Sequence, residues 1–147
     1  MTNKYLEQYG RHLRKFLRLQ RPLKAVFDAS NGTGALLFRE AVKGNRRLKV
    51  TFINAKPDGR FPAHGPNPLE PGAIDQLAAA VRKQKADVGI IVDNDADRAF
   101  FVDERGRLLT AAETLIFFSQ NFRGPAVFDF MIGPLAHRHF AEHKIKV

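Results

Sequence analysis

Apolar positions recur along the chain with two different periods, and each switch of period marks a new element. Over residues 3–19, Tyr5, Leu6, Tyr9, Leu13, Phe16, Leu17 and Leu19 fall at helical spacing, and Pro22 closes the segment. A short apolar strand, KAVFD (24–28), leads through the Gly-rich turn ASNGTGA (29–35) into a helix, LLFREAVKG (36–44). LKVTFI (48–53) reads as the next strand. The loop after it, NAKPDGRFPAHGPNPLEPG (54–72), is too rich in turn residues for regular structure. AIDQLAAAVRKQK (73–85) has amphipathic helical spacing, and DVGIIVD (87–93) is a continuous apolar strand of the fully buried kind. RAFFVDERGRLLT (98–110) predicts two strands around an Arg105–Gly106 turn. A helix over 111–122, a strand PAVFDF (125–130) and a last helix over 134–143 complete the pattern. Strands alternating with helices of this length predict an α/β fold: a layered, mainly parallel sheet with flanking helices and right-handed crossovers.

The 147 residues suffice for one domain with a core, or for one domain and a fragment of a second. With 44% apolar and 27% charged residues the chain reads as globular rather than disordered. No apolar run reaches the ~18–20 residues of a membrane helix, and the polar N-terminus lacks the apolar core of a secretory signal. The absence of cysteine excludes disulfides and thiolate metal sites, which fits a cytoplasmic setting. Charge is unevenly placed. Residues 1–24 hold seven basic side chains (Lys4, Arg11, Arg14, Lys15, Arg18, Arg21, Lys24) against Glu7 alone, so they carry most of the net +9. Such a segment suits nucleic acid or an anionic membrane surface. No stacking aromatics or nucleic-acid motif accompany it, so a solvated helix face is the expected reading.

The candidate chemistry lies in IIVDNDADRAFFVD (90–103), where Asp93, Asp95, Asp97 and then Arg98 interrupt an apolar run. Alternate residues of extended chain point the same way, so the three carboxylates can converge. Without a cation they would repel one another and raise their pKa values. All-oxygen ligation selects a hard ion, Mg²⁺ before Ca²⁺ or Mn²⁺, and leaves positions for water or a phosphate oxygen. The spacing also matches the first ligands of an EF-hand, with Glu104 at the twelfth position. However, Arg98 stands where that loop needs Gly, and strands rather than helices flank it. Loops at the carboxyl ends of parallel strands are where α/β proteins place ligands, and Arg98 adds a bidentate phosphate partner.

The other loops are weaker candidates. SNGTG (30–34) lacks the P-loop Lys and the dinucleotide spacing, so Gly32 and Gly34 are expected simply to permit a sharp turn. His64, alone in the Pro-rich loop, reads as structural. His137, His139 and His143 lack an acidic third ligand and read as surface residues. Ser30 and Ser119 are the only serines, and neither belongs to a legible Ser/His/Asp arrangement.

Four stretches together resemble the α-D-phosphohexomutases (phosphomannomutase/phosphoglucomutase). DNDADR (93–98) is similar to that family's D-G-D-A/G-D-R metal loop. KAVFDASNGTGA resembles the strand and Gly-rich turn opening its second domain, and KPDGRFPAHGPNPLEP the long loop written P-D-G-x-F-P-N-H-x-P-D-P. ADVGIIVDNDADRAFFVDERGRLL resembles the metal strand and following hairpin.

The resemblance covers about residues 22–110. It implies a basic leading helix over 1–21, the second, metal-binding domain over 22–110, and the crossover helix and first strand–helix of a truncated third domain over 111–147. The family's four-domain enzymes shift a phosphoryl group between C1 and C6 of a hexose phosphate through a phosphoserine. By resemblance Asp93, Asp95 and Asp97 bind Mg²⁺, and Arg98 contacts the reactive phosphate.

The phosphoserine domain, the sugar-recognition loop and the phosphate-binding fourth domain have no counterpart in these residues. The implied function is therefore the Mg²⁺-binding part of an intramolecular phosphotransferase, not catalytically complete as this chain alone. The alternative is a stand-alone, non-catalytic relic that binds metal or sugar phosphate. The expected partner is a hexose phosphate in the complete enzyme, with no membrane and no nucleic acid, and with self-association possible through the truncated third domain. The sequence departs from the family pattern at Asn94 (usually Gly), Ala63 (usually Asn), Gly65 (often His) and Met131 (near a bacterial Lys). Asn94 is expected to keep the loop shape by tolerating positive φ.

Overall fold

The computed structural model describes residues 4–121, 124–125, 127–128 and 133–145. Its elements run α1 (Lys4–Arg14), β1 (Leu23–Asp28), α2 (Gly34–Val42), β2 (Leu48–Ile53), α3 (Asp75–Gln84), β3 (Val88–Val92), β4 (Ala99–Val102), α4 (Ala111–Ser119) and α5 (Gly133–Glu142). They form two compact units, residues 1–108 and 109–147.

The first unit is a four-stranded sheet ordered β2-β1-β3-β4. β1 is parallel to both neighbours, and β4 returns antiparallel to β3. β1 is central, and its consecutive residues face opposite sides of the sheet. On one side Val26 joins Ile91 and Val102 against Leu77, Ala78 and Val81 of α3. On the other, Phe27 and Val92 meet Ala35 and Phe38 of α2. The Phe27 and Phe38 rings stack at 4.3 Å, Phe52 closes the cluster 5.7 Å from Phe27, and the Arg39 guanidinium caps Phe52 at 4.1 Å. α1 lies outside α2. A Cβ on Gly10 would sit 2.6 Å from the Glu40 Cβ, so glycine there lets the two helices close together.

Three elements stop well short of the sequence reading. α1 ends at Arg14, and three tight turns follow, with Lys15, Phe16 and Leu17 N–H groups donating to carbonyls three residues back. α4 ends at Ser119 rather than 122. The second strand of the 98–110 hairpin reduces to one bridge, Val102 with Leu108. Asp103 is the cause: its carboxylate accepts from the Arg105 and Arg107 N–H groups, which curls the chain into a tight turn. The strand expected over 125–130 and Met131 lie largely or wholly outside the described residues. In the second unit, Thr110 caps α4 in a reciprocal capping box with Glu113.

Candidate metal centre

The acidic loop leaves the carboxyl end of β3 on the same side as the turn that follows β1. Asp93, Asp95 and Asp97 each offer a carboxylate oxygen, and these lie within 4.8 Å of one another. Their roles differ. Asp93 is buried, whereas Asp95 and Asp97 are exposed. Asp93 accepts from the Arg98 backbone N–H at 3.2 Å and from its Nε at 2.7 Å. Arg98 Nε also lies 3.5 Å from Asp97, leaving the outer guanidinium nitrogens without a hydrogen bond.

Burial is the strongest single influence on Asp93 and opposes its ionisation. The hydrogen bonds from Arg98 together outweigh it and hold the carboxyl below the usual carboxylate range. Asp97 is pushed upward, first by its hydrogen-bonded contact with Asp93 and then by the charge on Asp95. The donor set is therefore three oxygens, crowded enough to disfavour full ionisation. That matches a hard divalent cation, whose charge would relieve the crowding.

The backbone of the loop is held from behind by the turn after β1. Thr33 N–H donates to the Asn94 carbonyl at 3.0 Å, and its hydroxyl approaches the same oxygen at 3.4 Å. Ser30 is buried and donates its hydroxyl to the Val92 carbonyl at 2.6 Å. A Cβ on Gly32 would collide with the Asn94 carbonyl oxygen and lie 2.6 Å from the Asn94 Cα. Glycine is thus required for close approach of two loops, not for a positive φ. The left-handed residues of the turn are Ser30 and Asn31, at φ 50° and 55°. The expectation for Asn94 is likewise corrected: the left-handed residue of the acidic loop is Ala96, at φ 64°.

Behind this clamp lies a second polar network that the sequence did not single out. Asp28 is fully buried and accepts from Ser30 N–H at 2.9 Å, Asn54 Nδ2 at 2.9 Å and His64 Nε2 at 3.3 Å. Facing an acceptor, Nε2 is the nitrogen that carries hydrogen, while Nδ1 is buried without a partner. Asn31 ties the Pro-rich loop to the turn through the Ala63 N–H and the Lys56 carbonyl. Gln76 of α3 bridges Asn54 and the Ala63 carbonyl. The only available signal was an Asx residue at each of two strand ends, Asp28 closing β1 and Asn54 just past β2. His64 belongs to this scaffold. In the second unit, Ser119 donates to the Ile116 carbonyl and lies 3.2 Å from His139, whose ring stacks on His143 at 4.1 Å.

The family model described as "Phosphoglucomutase/phosphomannomutase, alpha/beta/alpha domain II" matches residues 3–106. The chain belongs to the phosphoglucomutase/phosphomannomutase family. It is 34% identical over 114 residues to a phosphoglucomutase of Neisseria meningitidis, covering 78% of this chain and 25% of that protein. With a phosphomannomutase of Escherichia coli it shares 38% over 111 residues, covering 71% and 24%. A solved structure of a putative phosphomannomutase from Thermus thermophilus superposes with a TM-score of 0.79 at 23% identity, covering 99% of this chain and 36% of that one. The chain thus corresponds to domain II of the phosphohexomutases and spans about a quarter of the length of the curated relatives it matches. No helix among the described residues is long and apolar enough to cross a membrane.

Proposed function

We propose that this chain is the Mg²⁺-binding domain of a phosphohexomutase, acting in the C1/C6 phosphoryl shift of a hexose phosphate. The carrying observation is the cluster of three carboxylate oxygens within 4.8 Å at the end of β3. In this reading Asp93, Asp95 and Asp97 hold the ion, with Asp93 as the fixed member and the two exposed aspartates closing around it. When bound, the ion supplies charge neutralisation for a transferring phosphoryl group. Arg98 keeps Asp93 ionised through Nε and the backbone, and its outer nitrogens remain for a phosphate oxygen.

The chain does not supply the phosphorylated nucleophile. Its two serines are buried, and each donates its hydroxyl to a backbone carbonyl, Val92 for Ser30 and Ile116 for Ser119. The residues 109–147 unit is read as the start of the third domain. Its exposed Phe117, Phe118 and Leu135 support self-association of the isolated chain. A cytoplasmic setting belongs to the same reading.

The test has two arms. The purified 147-residue chain is expected to bind Mg²⁺ or Mn²⁺, and to convert no glucose 1-phosphate to glucose 6-phosphate. Turnover by the chain alone would refute its catalytic incompleteness, and failure to bind either ion would refute the metal reading.

A further inference from the structure

At the amino ends of β1 and β2, opposite the acidic loop, the chain forms an open cleft of about 460 Å³. Two segments far apart in sequence build it: the end of α1 and the residues after it, 14–19, and the α2–β2 turn, residues 43–47. Arg14, Arg18, Lys43, Arg46 and Arg47 line it, with no acidic residue among the lining. The walls are cross-braced. Arg47 donates to the Leu19 carbonyl at 2.8 Å, Asn45 to the Leu17 carbonyl at 3.3 Å, and Arg14 to the Glu40 carbonyl. These bonds fix the two walls of the concavity, and a concavity lined by cations of one sign favours an anion.

The cations divide by engagement. Arg14 and Arg47 are committed to the walls, whereas the Arg18 and Arg46 guanidiniums are exposed and make no hydrogen bond or ion pair among the described residues. Lys43 has one weak contact, 3.5 Å to Glu40. Two free planar guanidiniums and an ammonium suit phosphate groups, which guanidinium binds bidentately. The volume matches a small molecule rather than a strand. No aromatic side chain lines the cleft, and base stacking on aromatics is what single-stranded nucleic acid binding relies on.

We propose that this cleft is a binding site for a small polyphosphorylated anion, with Arg18 and Arg46 as its principal contacts and Lys43 as a third. The site is independent of the acidic loop and of the metal reading. The probe is inorganic tripolyphosphate, titrated by calorimetry into the full chain with divalent cations removed. One equivalent is expected to bind, and Arg18→Gln/Arg46→Gln to weaken it at least about tenfold, a loss of about 1.4 kcal/mol. Both side chains are exposed, so the circular dichroism spectrum and Tm of the double variant should be unchanged. Asp95→Asn should bind tripolyphosphate as the parent does. No binding by the parent chain, or equal binding by the double variant, would overturn the proposal. So would tighter binding of an oligonucleotide of about 20 nucleotides with the same dependence on Arg18 and Arg46, which would make the surface one for nucleic acid.

Discussion

Asp93 and Asp95 sit two residues apart and should respond very differently to the same substitution. Asp93→Asn replaces a buried carboxylate, each of whose oxygens accepts from Arg98, with an amide that keeps one acceptor and turns its NH2 toward the other Arg98 donor. It should destabilise the fold by about 1–3 kcal/mol. Asp95 is exposed, so Asp95→Asn should change stability by no more than about 0.5 kcal/mol. Urea midpoints of the two variants distinguish these outcomes. Gly32→Ala forces its new Cβ against the Asn94 backbone and should cost about 1–3 kcal/mol as overpacking. It should also weaken metal binding, because the loop it displaces carries Asp93 and Asp95. The three carboxylates were legible in the sequence because they share one hexapeptide. The clamp was not, since Ser30 and Thr33 bond to residues about 60 positions away through backbone carbonyls, which every residue possesses.

Among the elements, the join between the chain entering β1 and the start of β3 depends on Asp87. Its carboxylate accepts from the Lys24 N–H at 2.7 Å and from Arg21 at 2.9 Å. The Lys24 N–H first, and then the Arg21 side chain, hold its pKa below the usual carboxylate range. A carboxylate depressed in the folded state stabilises above its unfolded pKa of about 3.9, and that contribution fades as pH falls through the folded value. Asp87→Asn should therefore lower stability by less than about 1 kcal/mol near neutral pH. The difference from the parent should shrink as pH falls below the unfolded value of about 3.9 and vanish once the folded carboxyl is protonated, when Tm is followed against pH. In the second unit, Thr110→Ala removes the reciprocal cap of α4 and should cost about 1 kcal/mol. Local amide exchange across 111–119 reports that loss.

Element boundaries were less legible than element types, for identifiable reasons. Leu17 and Leu19 keep helical spacing, yet Asn45 and Arg47 capture their carbonyls and the helix stops at Arg14. Leu108 looked like strand, but Asp103 binds two backbone N–H groups that a longer ladder would use.

At the scale of the molecule, apolar periodicity sufficed for the architecture, because β1 and β3 are buried on both faces and their neighbours alternate with helices. The two ends of the sheet carry opposite chemistry: carboxylates at the carboxyl end of β3, and guanidiniums at the amino ends of β1 and β2. Only the first was visible from local spacing. The basic residues before Pro22 read as a solvated face until the fold brought Arg14 and Arg18 beside the 43–47 turn. The deciding measurement remains at the acidic end. Calorimetric titration of Mg²⁺ into the parent chain and into Asp95→Asn should show one site in the parent and at least about tenfold weaker binding in the variant, at unchanged Tm. Equal heats from the two proteins would contradict the assignment of this loop as the metal centre.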